Sequence, residues 1–259
     1  MYVTTERQAE IAERVRQSGF QSVTDLAQHF GVTTQTIRRD INELSEAGAL
    51  RRRHGGVELP IPTDNIGFEE RQTLNFAAKQ QIARVVKSHI PHGASIAISI
   101  GTTPALTVHQ LSDLRGLTIV TNNLMAALNA CSLPAVEVHV PGGAVRPEAR
   151  DILGPEVEAF FESFKVDIGL YGVGGVDDQG ELLDFSRDEV QVREIIRRNC
   201  RRSFLVLDAS KFGRAAHVRG GWISDADVVF CDRDPPAQIR QAIEAAGHEV
   251  VLCSEGGAP

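Results

Sequence analysis

Cysteine is scarce and unpatterned in this chain. Cys131, Cys200, Cys231 and Cys253 form no CxxC pair and have no histidine at metal-ligand spacing. That excludes the common zinc modules and argues against a disulfide-stapled secreted domain, so the four read as core thiols in a reducing compartment. No apolar run approaches the roughly 18 residues that suggest a membrane span. The opening MYVTTERQAE lacks the basic-then-apolar order of a signal peptide, and a cytoplasmic location is expected. Positive charge is also in short supply: the net charge of -7 excludes a uniformly basic nucleic-acid coat. Internal repeats and low-complexity tracts are missing. No nucleophile–base pair stands at a recognisable spacing, and neither a cofactor nor a metal is expected.

What charge there is lies unevenly. Residues 1–57 hold eight Lys and Arg against seven Asp and Glu, and the rest of the chain holds 19 against 27. An acidic body repels DNA everywhere except at a small, slightly basic head. Within that head, SVTDLAQHF (Ser22 to Phe30) and GVTTQTIRRDINEL (Gly31 to Leu44) read as two helices across a tight Gly31-Val32 turn. Ser22, three residues before Asp25, starts the first, and Thr33 is a natural cap for the second. Ile37, Ile41 and Leu44 form the apolar stripe of the second helix. Gln35, Arg38, Arg39 and Asn42 project from its other side, with Thr34 and Thr36 beside them. Forked guanidinium donors and amides suit base edges and phosphates in a major groove, so this is a helix-turn-helix whose second helix reads DNA.

The flanks agree. Arg7 to Arg16 makes a preceding amphipathic helix with Ile11 and Val15 four apart, and Ala47-Gly48 offers a C-cap. LRRRHGGVEL (Leu50 to Leu59) reads as two short strands about a His54-Gly55 turn, a wing carrying Arg51, Arg52 and Arg53 with His54 at its tip. The expected organisation is a winged helix-turn-helix over 1–59, a linker over 60–76 marked by PIPTDNIG, and a second domain over 77–259 that opens with a helix from Ala77 to His89.

From Gly93 the chain alternates short apolar strands with helices, which indicates a mostly parallel sheet covered on both faces. The fold class is α/β. Strands are expected at 94–100, 117–121, 136–140, 166–172, 203–208, 228–232 and 249–253. Helices fall at 104–111, 123–131, 157–164, 188–198 and 236–246. Ligands in such sheets gather beyond the carboxyl ends of the strands. Those ends carry Gly101-Thr102-Thr103, Asn122-Asn123, Gly142 and Gly143 with Arg146, Gly174-Gly175 in GVGG, and Lys211 in ASKFGR. Glycine loops let amides approach an anion, threonines donate, and Lys211 and Arg146 supply counter-charge. Together they suggest a small phosphorylated polyol or sugar. GTTP lacks the GK[ST] ending of a nucleoside-triphosphate loop, and GVGG lacks the spacing of a dinucleotide fingerprint. Asp184, Glu189 and Lys211 leave open a rival reading, a sugar-phosphate isomerase or hydrolase carrying a DNA-binding head.

QTIRRD with LRRRHGG, then SIGTT, TNN, a glycine pair, a glycine-rich fourth loop and LDASKFGR in that order resemble the DeoR family of bacterial regulators, from about Thr5 to Cys253. GELLDFSRDEV (Gly180 to Val190) and LDASKFGRAAHV (Leu207 to Val218) look most like its glycerol 3-phosphate-responsive branch. The resemblance implies a sensor domain related to ribose-5-phosphate isomerases and a homo-oligomeric repressor bound to operator DNA. It also implies repression relieved by a phosphorylated sugar or polyol, with sn-glycerol 3-phosphate the effector of that branch. It places the phosphate loop on Gly101, Thr102 and Thr103 and the sensor lysine on Lys211. One departure stands out: where the family usually has Asp two residues before the loop glycine, this chain has Ser99.

Overall fold

The computed structural model describes residues 5–46, 49–58 and 67–253. The chain divides into two compact units. One is Met1–Pro62 with Thr73–Ala77; the other is Thr63–Gln72 with Ala78–Pro259. Among the described residues no helix is long and apolar enough to cross a membrane.

The head begins with α1 (Glu6–Ser18). Its start is a reciprocal capping box: Gln8 N–H donates to the Thr5 hydroxyl (3.2 Å) and Thr5 N–H to Gln8 Oε1 (3.0 Å). β1 (Gln21–Ser22) is a strand that periodicity does not reveal, being only two residues long. Ser22 then caps α2 (Val23–Phe30), its hydroxyl accepting from Asp25 N–H at 3.0 Å. Gly31, in the left-handed region at φ 63, turns the chain out of α2. Thr33 caps α3 (Thr34–Glu46) by accepting from Thr36 N–H. The C-cap expected at Ala47-Gly48 lies outside the described residues.

The wing is the hairpin of β2 (Arg51–Arg53) and β3 (Gly56–Glu58), with β1 added outside β3 to give the order β1-β3-β2. That third strand explains Gly56, where a Cβ would stand 2.2 Å from the Gln21 carbonyl oxygen. Ile11, Val15, Leu26, Ile37, Ile41, Leu44, Leu50 and Val57 close one small core beneath the three helices.

In the body, α4 (Phe68–Thr73) and α5 (Phe76–Lys87) precede the sheet. α4 falls inside the stretch whose composition suggested a linker. There follow β4 (Ser95–Ile98), α6 (Thr102–His109), β5 (Thr118–Thr121), α7 (Leu124–Ala130) and β6 (Glu137–His139). A small hairpin of β7 (Val145–Arg146) and β8 (Asp151–Ile152) leads to α8 (Pro155–Glu162) and β9 (Val166–Tyr171). Next come β10 (Gly175–Val176), β11 (Glu181–Asp184), α9 (Arg187–Arg198), β12 (Cys200–Leu207) and β13 (Val218–Trp222). β14 (Val228–Cys231), α10 (Ala237–Ala245) and β15 (Glu249–Leu252) complete it.

All seven strands expected from the sequence pair in one parallel sheet of order β15-β14-β12-β9-β4-β5-β6. Strand alternation divides the core in two. Ile96 and Ile98 face Ile82, Val86 and Val108 of α5 and α6, while Ala97 belongs with Phe161, Val192 and Ile239 of α8, α9 and α10. The hairpin β7–β8 and the antiparallel sheet β10-β11-β13 stand apart from that alternation and were not expected. Nor are the cysteines uniformly core residues. Cys231 and Cys253 are buried, whereas Cys131 is exposed because it follows Ala130, the last buried residue of α7.

Candidate DNA interface and anion crevice

On α3 the stripe Ile37, Ile41 and Leu44 is buried, and Thr34, Gln35, Arg38 and Arg39 are exposed, with Thr36 and Asn42 half-buried beside them. Polar contacts add to the shared apolar core in fixing this helix on α1. Arg7 donates to both oxygens of the buried Asp40 (2.7 and 3.2 Å), and Gln8 donates to Glu43 at 2.6 Å. The Asp40 carboxylate holds the Arg7 guanidinium above its usual range. Glu43 also takes Arg39 Nε at 3.1 Å, one turn away on the same helix. Arg38, by contrast, makes no hydrogen bond or ion pair among the described residues. One arginine is therefore tethered and its neighbour is exposed and unpaired among the described residues.

The wing repeats this division through strand alternation. Arg51 and Arg53 both donate to Glu58 on β3, while Arg52, between them, is exposed and unpaired among the described residues. His54 and Gly55 form the exposed turn, with Gly55 at φ 80. Sequence reasoning grouped all three arginines; the cross-strand Glu58 distinguishes them.

In the body, the strand order reverses between β4 and β9, the position where a doubly wound sheet opens a crevice beyond its strand ends. Gly101, at φ 114, leads β4 into α6, whose first residues are Thr102 and the buried Thr103. Asn123 ties this loop down, donating to the carbonyls of Gly101 (2.9 Å) and Ser99 (3.2 Å) while its oxygen caps α7. Asn122 is fully buried and donates to the Ile152 carbonyl at 2.8 Å, so it anchors β8. Gly142 and Gly143 are exposed at the entry to the β7–β8 hairpin. Arg146, on that hairpin, is already engaged: it donates to both oxygens of Asp151 (2.7 and 2.9 Å) and to Glu189 at 3.1 Å. Burial alone would lower the Arg146 pKa, but these carboxylates outweigh it and raise it.

Gly174 and Gly175 are fixed by packing. A Cβ on Gly174 would stand 2.7 Å from the Leu183 carbonyl oxygen, and one on Gly175 would stand 2.1 Å from that of Arg214. The Gly174 amide donates to Asp184 at 2.7 Å, and its carbonyl accepts from Arg214 at 3.0 Å. Asp184 in turn accepts from the buried Arg193, which also reaches the Gly220 carbonyl.

The main departure from the sequence reading is the number of cations around Lys211. Lys211 closes the short turn after β12, half-buried, and it shares its field with Lys79, Arg71, Arg214 and the buried Asp208. Burial pushes the Lys211 ammonium well below its usual range, and the neighbouring cations add to this against the pull of Asp208. Lys79 is pushed down to about 8, by burial first and then by Arg71 and Arg214, with Asp208 opposing. Arg214 is lowered by burial and by Arg71. Burial also works against the Asp208 carboxylate, yet Lys79, Lys211 and the Ser210 hydrogen bonds keep it below the usual range. Around Lys211 the cations Lys79, Arg71 and Arg214 outnumber the carboxylate Asp208, while Arg71 also feels Glu189 and Asp151 and Arg214 also feels Asp184. The immediate surroundings of Lys211 suit an anion. Lys79 was legible after all, standing three and seven residues before Ile82 and Val86 on the buried stripe of its helix.

A winged helix-turn-helix joined to a parallel α/β body with a cation-rich crevice is the make-up of a ligand-sensing DNA-binding regulator. Residues 7–63 match the DeoR-like helix-turn-helix domain and residues 74–233 the DeoR C terminal sensor domain. The chain belongs to the DeoR family. It is 39% identical over 249 residues to the glycerol-3-phosphate regulon repressor of Escherichia coli (strain K12), covering 96% of this chain and 99% of that one. Against the glycerol-3-phosphate regulon repressor of Haemophilus influenzae the identity is 37%, with 96% of each covered. Among solved structures, a D-ribose-5-phosphate isomerase in complex with phospho-erythronic acid aligns over 57% of this chain and 55% of its own. Its 16% identity and TM-score of 0.38 are too distant to argue from.

Proposed function

We infer that this protein is a DNA-binding transcriptional repressor of glycerol 3-phosphate genes, released from its operator by a phosphorylated polyol, sn-glycerol 3-phosphate first among them. The near-full-length similarity to two glycerol-3-phosphate regulon repressors supports the gene set. The single observation that favours a phosphorylated effector is the surplus of cations gathered about Lys211 at the strand ends. In this reading Gln35, Arg38 and Asn42 meet base edges, and Arg39 and Arg52 meet phosphates. Arg51, Arg53 and His54 flank them, and Thr34 and Thr36 line the helix start. Gly101, Thr102 and Thr103 present amides and hydroxyls to the phosphoryl group. Asn122, Asn123, Gly174 and Gly175 shape the crevice from behind, and Gly142 and Gly143 carry the hairpin that bears Arg146. Two copies gripping inverted half-sites give the operator symmetry expected of such heads. Ligand releases DNA by binding the low-affinity arrangement better, and a difference of about 3 kcal/mol changes the populations more than a hundredfold.

Ser99 supports a second reading of the effector alone. It offers a hydroxyl where the family resemblance implies a carboxylate, which suits a different sugar phosphate, such as fructose 1-phosphate. Calorimetry tests the proposal. Glycerol 3-phosphate should bind the full chain and be recovered unchanged, glycerol should not bind, and Lys211→Ala should weaken the complex at least tenfold. Equal affinity for the variant removes Lys211 from the site, and conversion of the ligand favours the enzyme reading.

A further inference from the structure

Two of the crevice cations come from the short segment that enters the body. Arg71 lies on α4 and Lys79 on α5, and the Lys79 ammonium donates to the Arg71 carbonyl. α4 is held on the body at three further points. Phe68 N–H donates to the Glu148 carbonyl at 2.7 Å, Glu69 pairs with Arg150, and the Arg150 guanidinium stands 5.4 Å over the Phe68 ring. Arg71 thereby sits among Glu189, Asp151 and Arg146, and it acts on Arg214. Between the two cations, Thr73–Ala77 group with the DNA-binding head. Asn75 at φ 52 makes the turn there, in a backbone region that asparagine tolerates better than most residues.

We propose that Arg71 and Lys79 are ligands of the effector's anionic group, so that an occupied crevice grips both ends of the segment 73–77 and resets the head through it. This rests on the reading of the crevice as the effector site. Its physical content is a differential: an anion drawn between Lys79, Lys211 and Arg71 relieves the mutual repulsion of cations that Asp208, with Glu189 and Asp151 beside Arg71, only partly offsets in its absence. That relief is available only in the arrangement that brings Arg71 and Lys79 onto the anion. Binding energy is then spent on the position of the connecting segment, the requirement for a ligand to shift an equilibrium between two states. Lys211 and Arg214 come from the turn after β12 and not from the segment 73–77, so they contribute affinity.

The test uses the full chain and its operator, with sn-glycerol 3-phosphate as probe. For wild type, Arg71→Gln, Arg71→Lys and Lys79→Gln, calorimetry gives the ligand affinity, and fluorescence anisotropy gives the ratio of operator affinities without and with ligand. Arg84→Gln, an exposed charge removal on α5, is the control. Arg71→Gln and Lys79→Gln should each weaken the ligand at least tenfold and compress the operator ratio toward one even at saturating ligand. Arg71→Lys should recover part of both, and Arg84→Gln should change neither. A melting midpoint without ligand within a few degrees of wild type shows that a variant is folded. If a glutamine variant falls outside that range, Arg71→Lys alone decides, and wild-type values for it in both readouts overturn the proposal. Glutamine variants that bind and respond like wild type also overturn it while the effector site stands. Wild type that neither binds the ligand nor changes its operator affinity removes the effector reading, and the proposal with it.

Discussion

At the scale of single residues, the pairing of the arginines makes the sharpest claims. Arg38 has no partner among the described residues, so on the proposed reading Arg38→Ala removes a groove contact and leaves the packing of the head intact. It should weaken operator binding by roughly 1–3 kcal/mol, about ten- to a hundredfold, with an unchanged melting midpoint. Asp40→Ala does the opposite kind of damage. It leaves Arg7 unanswered and unties α1 from α3, and should cost about 1–3 kcal/mol of head stability, read as a lower melting temperature. Lys79 carries a pH signature. Its pKa falls on folding from 10.5 to about 8, so between those values the unfolded chain binds more protons than the folded one. Stability without ligand should therefore rise with pH across that window, and glycerol 3-phosphate, which favours the protonated lysine, should bind more weakly over the same window. A flat ligand affinity from pH 7 to 9.5 would separate Lys79 from the anion.

At the scale of elements, what the sequence disclosed followed from period and capping. The parallel strands are short apolar runs and α3 carries a clean stripe, so both were legible. Ser22 and Thr33 marked their helix starts because a side-chain oxygen ahead of an apolar stripe has few other roles. β1, the β7–β8 hairpin and the β10-β11-β13 sheet were not legible, since strands as short as two residues carry no period and pair across distant parts of the chain. The crevice divides the same way. Glycines and Lys211 stood out by composition, but Arg71 lay in a stretch read as linker and Arg214 passed as the end of a loop motif. Only the fold brings them to Lys211. Arg146 looked available until the hairpin placed Asp151 and Glu189 on it. The wing gives an element-scale prediction: Arg52→Ala should lower operator affinity about equally for all sequences and reduce the slope of log affinity against log salt by about 1. Gly56→Ala, which drives a Cβ into the Gln21 carbonyl, should disrupt the wing sheet and show as lost protection of its amides from hydrogen exchange.

At the scale of the whole molecule, charge sorts the two activities. The head leaves Arg38 and Arg52 free of carboxylates among the described residues, while the acidic body gathers Lys79, Arg71 and Arg214 about Lys211 at its strand ends. A ligand that releases operator DNA must be coupled to it reciprocally: operator DNA should weaken glycerol 3-phosphate binding by the same factor by which the ligand weakens DNA binding. The most direct test is fluorescence anisotropy on the protein's own promoter DNA at fixed salt, titrated with glycerol 3-phosphate and, in parallel, with glycerol. Tight binding that is lost with glycerol 3-phosphate and untouched by glycerol is the predicted result. Tight binding indifferent to glycerol 3-phosphate would contradict the effector assignment, and no specific binding at all would contradict the repressor itself.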